Sequence, residues 1–142
     1  MLKSSIGPAF RRQVIERAKG RCEYCQSLDA LSVGSFHIDH IIPLARKGLT
    51  RLENLAYCCP GCNNAKWSKV SASDPKTNRL VDLFNPRTQT WQEHFRWRLN
   101  GTRIQGKTPC GRATVEALEM NRNRIVALRK IWVKWGEHPP KN

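Results

Sequence analysis

No apolar run in the sequence approaches the roughly 20 residues that a bilayer span requires, so no membrane-crossing helix is expected. Residues 1–10 lack the apolar core of a secretory signal, and a reducing cytoplasm is the expected compartment. No long basic amphipathic helix is evident, which argues against a membrane-surface role. There is no internal repeat and no low-complexity segment. Acid is scarce too: 11 Asp and Glu stand against 25 Lys and Arg, leaving a net charge of +14. A surface this short of negative charge attracts polyanions and speeds their capture. Nucleic acid is therefore the expected partner.

What is present fits a small folded protein. With 142 residues, 39% of them hydrophobic and 25% charged, one domain with an appended subdomain is expected. A core of this size gains from a metal staple. Six cysteines in a reducing compartment suggest metal before disulfides. Cys22 and Cys25 form one C-x-x-C pair, and Cys59 and Cys62 form another. Zinc favours four tetrahedral thiolates, and two such knuckles supply them, so a closed, structural zinc site is expected. Cys58 adjoins Cys59 and could compete as a ligand. Cys59 is preferred because Cys59-Pro60-Gly61-Cys62 has the knuckle spacing, and Cys110 is expected to pack in the C-terminal part.

The pattern of residues predicts the elements. Pro8–Ala18 reads as a helix with proline in its first turn, ended by a left-handed cap at Gly20, with Phe10, Val14, Ile15 and Ala18 on one face. Residues 36–42 read as a strand stopped by Pro43, 45–53 as a basic turn region, and 54–58 as a short return strand. A helix is expected to begin at Cys62 and run to Ser68. Residues 71–90, with Pro75 and Pro86, read as a connecting arm. Residues 91–99 alternate apolar and polar, which predicts a strand, and Asn100-Gly101 predicts a hairpin turn with a return strand over 102–105. Two helices should follow, capped by Thr114 and Asn121, the second carrying Ile125, Leu128 and Trp132 as a stripe. Trp91, Trp97 and Trp132 are expected in the core, His94 on the polar strand face and His138 in a loose tail.

Between the knuckles lies Phe36-His37-Ile38-Asp39-His40-Ile41-Ile42-Pro43, followed by Asn54-Leu55 and by Cys62-Asn63-Asn64-Ala65-Lys66. In this order, over about residues 10–70, C-E-Y-C, H-I-D-H-I-I-P and N-L-x-x-x-C-x-x-C-N-N-A-K closely resemble the HNH endonucleases with zinc knuckles. A looser likeness, over Leu83 to Arg87, Trp91 to Trp97 and Gly111 to Thr114, is to the C-terminal part of one bacterial subgroup. The resemblance implies an α+β fold. Its centre would be a small zinc-stapled ββα-metal core over residues 1–70, with an N-terminal helix. A basic C-terminal extension over 71–142, made of the arm, a β-hairpin and helices, would pack on that core.

The resemblance also implies roles. A metal-dependent DNA endonuclease would hydrolyse phosphodiester bonds with one divalent ion, leaving 5′-phosphate and 3′-hydroxyl ends. Such hydrolysis needs an in-line water, a base and a cation for the developing charge. His40 would be the general base, since histidine accepts a proton near neutral pH. Asp39 and Asn63 are hard oxygen ligands suited to magnesium or manganese, with Asn64 as fallback for Asn63. As neighbours on a strand, Asp39 and His40 would diverge unless the strand bends, as the resemblance implies it does. Asn54 would brace the loop that holds the base. Lys66, Arg46, Lys47 and Arg51 could contact phosphates of double-stranded DNA. His37 could touch a phosphate or pack beside a knuckle. The protein would act as a monomer or a homodimer. The competing reading is a zinc-ribbon nucleic-acid-binding protein without catalysis. Zinc knuckles and charge fit both readings, whereas a hard-metal site beside a histidine fits only the enzyme.

Overall fold

The computed structural model describes residues 6–141, an α+β chain of short helices and three two-stranded antiparallel sheets. Two compact units emerge. The first runs to Val70 and also takes in Asn85–Thr88. The second comprises Ser71–Phe84 and the described residues from Gln89 onward. No helix among the described residues is long and apolar enough to cross a membrane.

In the first unit, α1 (Pro8–Ala18) starts with proline after an extended Gly7 and ends where Lys19 turns left-handed. The sequence reading gave the left-handed cap to Gly20. Lys19 takes it one residue earlier, and Gly20 continues at φ 73°. Val14 is the fully buried residue of α1, which packs on β2. Strand β1 (His37–His40) pairs with β2 (Leu55–Cys58), with Asp39 opposite Ala56 and His40 opposite Leu55. All four β2 residues are buried, which explains an apolar run without alternation. Both strands are shorter than expected. Beyond His40, Ile41 N still donates to the Asn54 carbonyl (2.9 Å), and at Ile42 the Asn54 side chain takes over: its Oδ1 accepts from Ile42 N (2.9 Å) and its Nδ2 donates to Ile42 O (3.0 Å).

Helix α2 (Pro60–Lys66) begins two residues before the expected start at Cys62. Proline is tolerated in a first turn, and the Cys59 sulfur caps the helix by accepting from Cys62 N. It also ends earlier than Ser68. Trp67 stands at φ 53°, ψ −123°, and Lys69 N donates to Lys66 O at 2.9 Å. Those dihedrals belong to the first central position of a type II′ turn, where glycine is the usual occupant. For tryptophan the conformation costs roughly 1–3 kcal/mol.

The second unit corrects several expectations. The segment read as a connecting arm holds a small hairpin, β3 (Ser71–Ser73) and β4 (Leu80–Asp82). Its loop is organised by Asp74, whose carboxylate accepts from Lys76 N, the Thr77 hydroxyl and, in a two-pronged contact at 2.9 Å each, Arg112. Of the strand expected over 91–99, the first part is a helical turn, α3 (Trp91–His94), and only β5 (Phe95–Arg98) is extended. His94 thus ends a helix, with Nδ1 2.7 Å from the Thr108 hydroxyl. β5 pairs with β6 (Arg103–Gly106) around the Asn100-Gly101 turn. Trp132 is buried; Trp91 and Trp97 are half-buried and stack with ring centroids 5.2 Å apart.

Helix α4 (Pro109–Ala117) is capped by Thr108, not Thr114. Thr114 lies buried inside it, donating to Cys110 O and accepting from Phe84 N. The helix lies against β6 so closely that a Cβ on Gly106 would stand 2.3 Å from Arg112 N. Helix α5 (Asn123–Lys134) follows Arg122, and Asn121 does not cap it. The Asn121 amide instead exchanges hydrogen bonds with the backbone of Ile104, at 2.8 and 2.7 Å. Of the expected α5 stripe, Ile125 and Trp132 are buried and Leu128 is half-buried; Arg129, also on α5, is buried with them. Arg129 donates to the Met120 and Thr102 carbonyls and lies 5.4 Å over the Trp97 ring. His138 is no loose tail: it is buried, edge-on to Trp97, with Nε2 2.9 Å from Gly101 O.

The Asp74 contacts give this unit an acid sensitivity. Chiefly the hydrogen bonds from Arg112 hold its carboxyl well below the ordinary carboxylate range. A group whose pKa is depressed by folding stabilises fully above its unfolded value, about 3.9, and that contribution is lost as pH falls toward the folded value. The thermal midpoint of the second unit is therefore expected to fall as pH drops below about 4. Asp74→Asn should lower the midpoint at neutral pH and flatten this acid limb in a series of melting curves. An unchanged acid limb would remove Asp74 as its source.

Candidate active site and metal centre

Two tight turns bring the cysteines together. Cys22 N donates to Ser27 O and Gln26 N to Cys22 O, each at 2.9 Å, which folds the first knuckle back on itself. Pro60 and Gly61, at the start of α2, make the second. The Cys22, Cys25, Cys59 and Cys62 sulfurs all lie within 4.8 Å of one another, and all four residues are buried. Zinc–thiolate bonds of about 2.3 Å in a tetrahedron require such sulfur spacings, so the residues present fit a structural zinc ion. Burial pushes the Cys22 thiol well above its ordinary value, so a thiolate there needs a cation beside it. Cys58 is buried with its thiol toward the Cys59 carbonyl, and the four-sulfur group does not include it. Cys110 is half-buried in the second unit.

β1 carries the other chemistry. It keeps its register through both Asp39 and His40, so the two side chains diverge as on any regular strand. The bend that the resemblance implied is not seen. Asp39 is 6% exposed. Its carboxylate accepts from the Tyr24 hydroxyl at 2.8 Å and pairs with Lys66 Nζ at 3.1 Å. Burial pushes the Asp39 carboxyl up; Lys66 and Tyr24 pull it back. His40 is half-buried, with Nε2 2.9 Å from the Thr50 hydroxyl. Burial lowers its pKa, an effect that the nearby Asp39 charge partly offsets. Asn54 ties Ile42 to the turn region, its Nδ2 donating also to Leu49 O at 2.8 Å. Asn63 sits half-buried on α2.

The basic residues divide. Arg46, Lys47 and Arg51 are exposed, and Arg46 Nε donates to Ser68 O. Lys66 is not on the surface: it is 1% exposed. Its ammonium is committed to Asp39 and to the Ile41 and His40 carbonyls, at 3.1 and 3.4 Å. A phosphate contact from Lys66, expected from the sequence, is thus replaced by an internal ion pair, because the helix face that carries it turns toward β1. His37 is exposed. Two residues escaped the sequence reading. Tyr24 lies inside a knuckle that reads as a metal motif, although a hydroxyl amid buried cysteines needs a partner. Thr50, ten residues beyond His40 in an irregular loop, carries no periodic signal.

A strand pair followed by a helix, tied by a four-cysteine cluster that fits a metal, defines a small α+β unit. Residues 22–69 match the family model described as HNH endonuclease. No curated protein matches the chain significantly.

Cys25→Ser should lower zinc content and thermal stability together, because metal binding here is folding free energy. Elemental analysis beside a melting curve checks this, and undiminished zinc with a wild-type midpoint would count against the staple. Lys66→Met would leave the Asp39 carboxylate buried without its cation, a loss of about 3–5 kcal/mol by the usual cost of breaking a buried pair. A denaturant titration reads that loss. A shift below about 1 kcal/mol would mean that the pair is exposed in solution.

Proposed function

We propose that the protein is a metal-dependent DNA endonuclease. His40 acts as general base, Asp39 and Asn63 hold one magnesium or manganese ion, and Asn54 braces the loop that follows the base. The observation that carries the reading is the state of His40 inside the segment that matches the HNH family. A neutral imidazole that donates from Nε2 to Thr50 has its Nδ1 lone pair directed elsewhere, and among the described residues Nδ1 makes no hydrogen bond. That nitrogen can take the proton of an attacking water. Burial that lowers the His40 pKa keeps the ring in its accepting form.

A carboxylate and an amide oxygen are donors of the type that a hard divalent ion prefers. Asp39 is already compensated by Lys66, so binding such an ion there exchanges one cation for another. Once bound, the ion would stabilise the charge that develops on the phosphate and the leaving oxygen. Asn54 fixes both the Ile42 and Leu49 backbone groups, which limits how far the chain after His40 can drift. The exposed Arg46, Lys47 and Arg51 would hold flanking phosphates of duplex DNA, and Arg96, Arg98 and Arg103 on the β5–β6 hairpin offer a second basic face. Water attack would leave 5′-phosphate and 3′-hydroxyl ends. Two C-x-x-C pairs suited to a metal, in place of disulfides, support a reducing compartment, the cytoplasm.

The Asp39–Lys66 pair is the observation that favours the alternative, a zinc-stapled binder without catalysis, since that carboxylate is neutralised without any added ion. A plasmid-nicking assay separates the two. Wild-type protein with magnesium or manganese should convert supercoiled plasmid, and His40→Ala should reduce conversion at least about 100-fold, as loss of a general base does. Folding and DNA binding should survive. Full activity in His40→Ala would overturn the assignment of the base. Binding by the wild type without conversion under any divalent ion would establish the binder.

A further inference from the structure

Trp67 combines two features that a residue with only a structural role would avoid. It is 78% exposed, the largest exposed side chain of the first unit. It also holds a left-handed conformation suited to glycine, φ 53° and ψ −123°. The backbone is strained, yet the strain wins no burial for the indole. The turn is nevertheless fixed from several sides. Trp67 N donates to Asn63 O, Lys69 N to Lys66 O, and the Arg46 side chain to Ser68 O. The residue before it, Lys66, is anchored on Asp39 and on the His40 carbonyl. The turn therefore presents an aromatic ring beside Lys66, whose ammonium contacts the Asp39 carboxylate and the His40 carbonyl. Lys66 is neutralised by Asp39, but the exposed Lys69 and Arg46 leave two positive charges beside the turn. Strained, exposed residues of this kind gather at ligand-binding sites. An exposed aromatic in a basic setting suits nucleic acid, because every base has a face on which to stack.

We propose that Trp67 is a DNA-contacting residue whose indole stacks on a nucleobase beside the scissile phosphate and so holds the strand in place for cleavage. The proposal rests on the endonuclease reading for its substrate. In a duplex the ring would enter by partly unstacking one base step, as inserted apolar wedges do, so Trp67 would contribute affinity and position with little base specificity. The strained turn would keep the ring extended before DNA arrives, lowering the entropy lost on binding.

The test uses the full, zinc-loaded chain in a His40→Ala background, so that binding is read apart from cleavage. Affinity for a short fluorescein-labelled duplex is measured by anisotropy for this parent and with Trp67→Gly or Trp67→Phe added. Trp67→Gly is expected to weaken binding by roughly 10- to 100-fold, the range of a lost base stack. Its melting temperature should equal or exceed the parent's, because glycine suits the turn. Trp67→Phe should retain affinity to within a few-fold. Binding by Trp67→Gly equal to the parent's would overturn the proposal and leave the nuclease reading intact. A lowered melting temperature in Trp67→Gly would overturn it in favour of a structural role. A change in oligomeric state on sedimentation would overturn it in favour of a contact between copies of the chain. A parent that binds no DNA would bring down the endonuclease reading and this proposal together.

Discussion

Four cysteine sulfurs meeting in one small volume is the constraint on which the first unit depends. The knuckle at Cys22–Cys25 and the knuckle at Cys59–Cys62 are far apart in the chain, and their meeting closes a loop that contains β1, the basic turn region and β2. The second knuckle is also the start of α2, since the Cys59 sulfur serves as its cap. The first holds Tyr24, whose hydroxyl reaches Asp39. The four-cysteine cluster, helix initiation and the placement of a candidate catalytic carboxylate are thus parts of one arrangement. A domain with so few strands has little apolar area to bury, and a metal tie supplies what the core cannot.

Around that tie the chain solves its backbone accounting with side-chain amides. Asn54 in the first unit and Asn121 in the second each use both ends of the amide to pair with one backbone residue, Ile42 and Ile104 respectively. An amide has a donor and an acceptor at nearly the spacing of a peptide group, so it can stand in for a missing strand. In the first unit this holds the chain just beyond His40. In the second it fixes the inner edge of the β5–β6 hairpin, where Arg129 also satisfies carbonyls that no strand reaches.

The fate of Lys66 shows how a surface reading can invert. A lysine in a basic protein suggests a phosphate contact. Here its position at the end of α2 turns it inward to Asp39, and its ammonium reaches three acceptors. The following residue, Trp67, is turned outward into solvent instead.

Local patterns sufficed for much of this. The helix at Pro8–Ala18, the strand–loop–strand–helix order, the two cysteine pairs with Cys59 preferred to Cys58, and the Asn-Gly hairpin could all be read from the sequence, because each rests on residues close together in the chain. Proline at a first turn, paired cysteines two apart and a left-handed Asn-Gly turn act over one turn of backbone. The β3–β4 hairpin was hidden because its strands are three residues long, and its loop is held by Arg112 from another element. Thr114 and Asn121 look like helix caps by type, but packing claimed their side chains for Phe84 and Ile104. Sequence alone determined which groups could bind metal or take up a proton. Tertiary structure decided which of them are charged neighbours, which are buried and which face solvent: contacts such as Tyr24 with Asp39, Lys66 with Asp39 and Thr50 with His40 join residues that no short-range pattern connects.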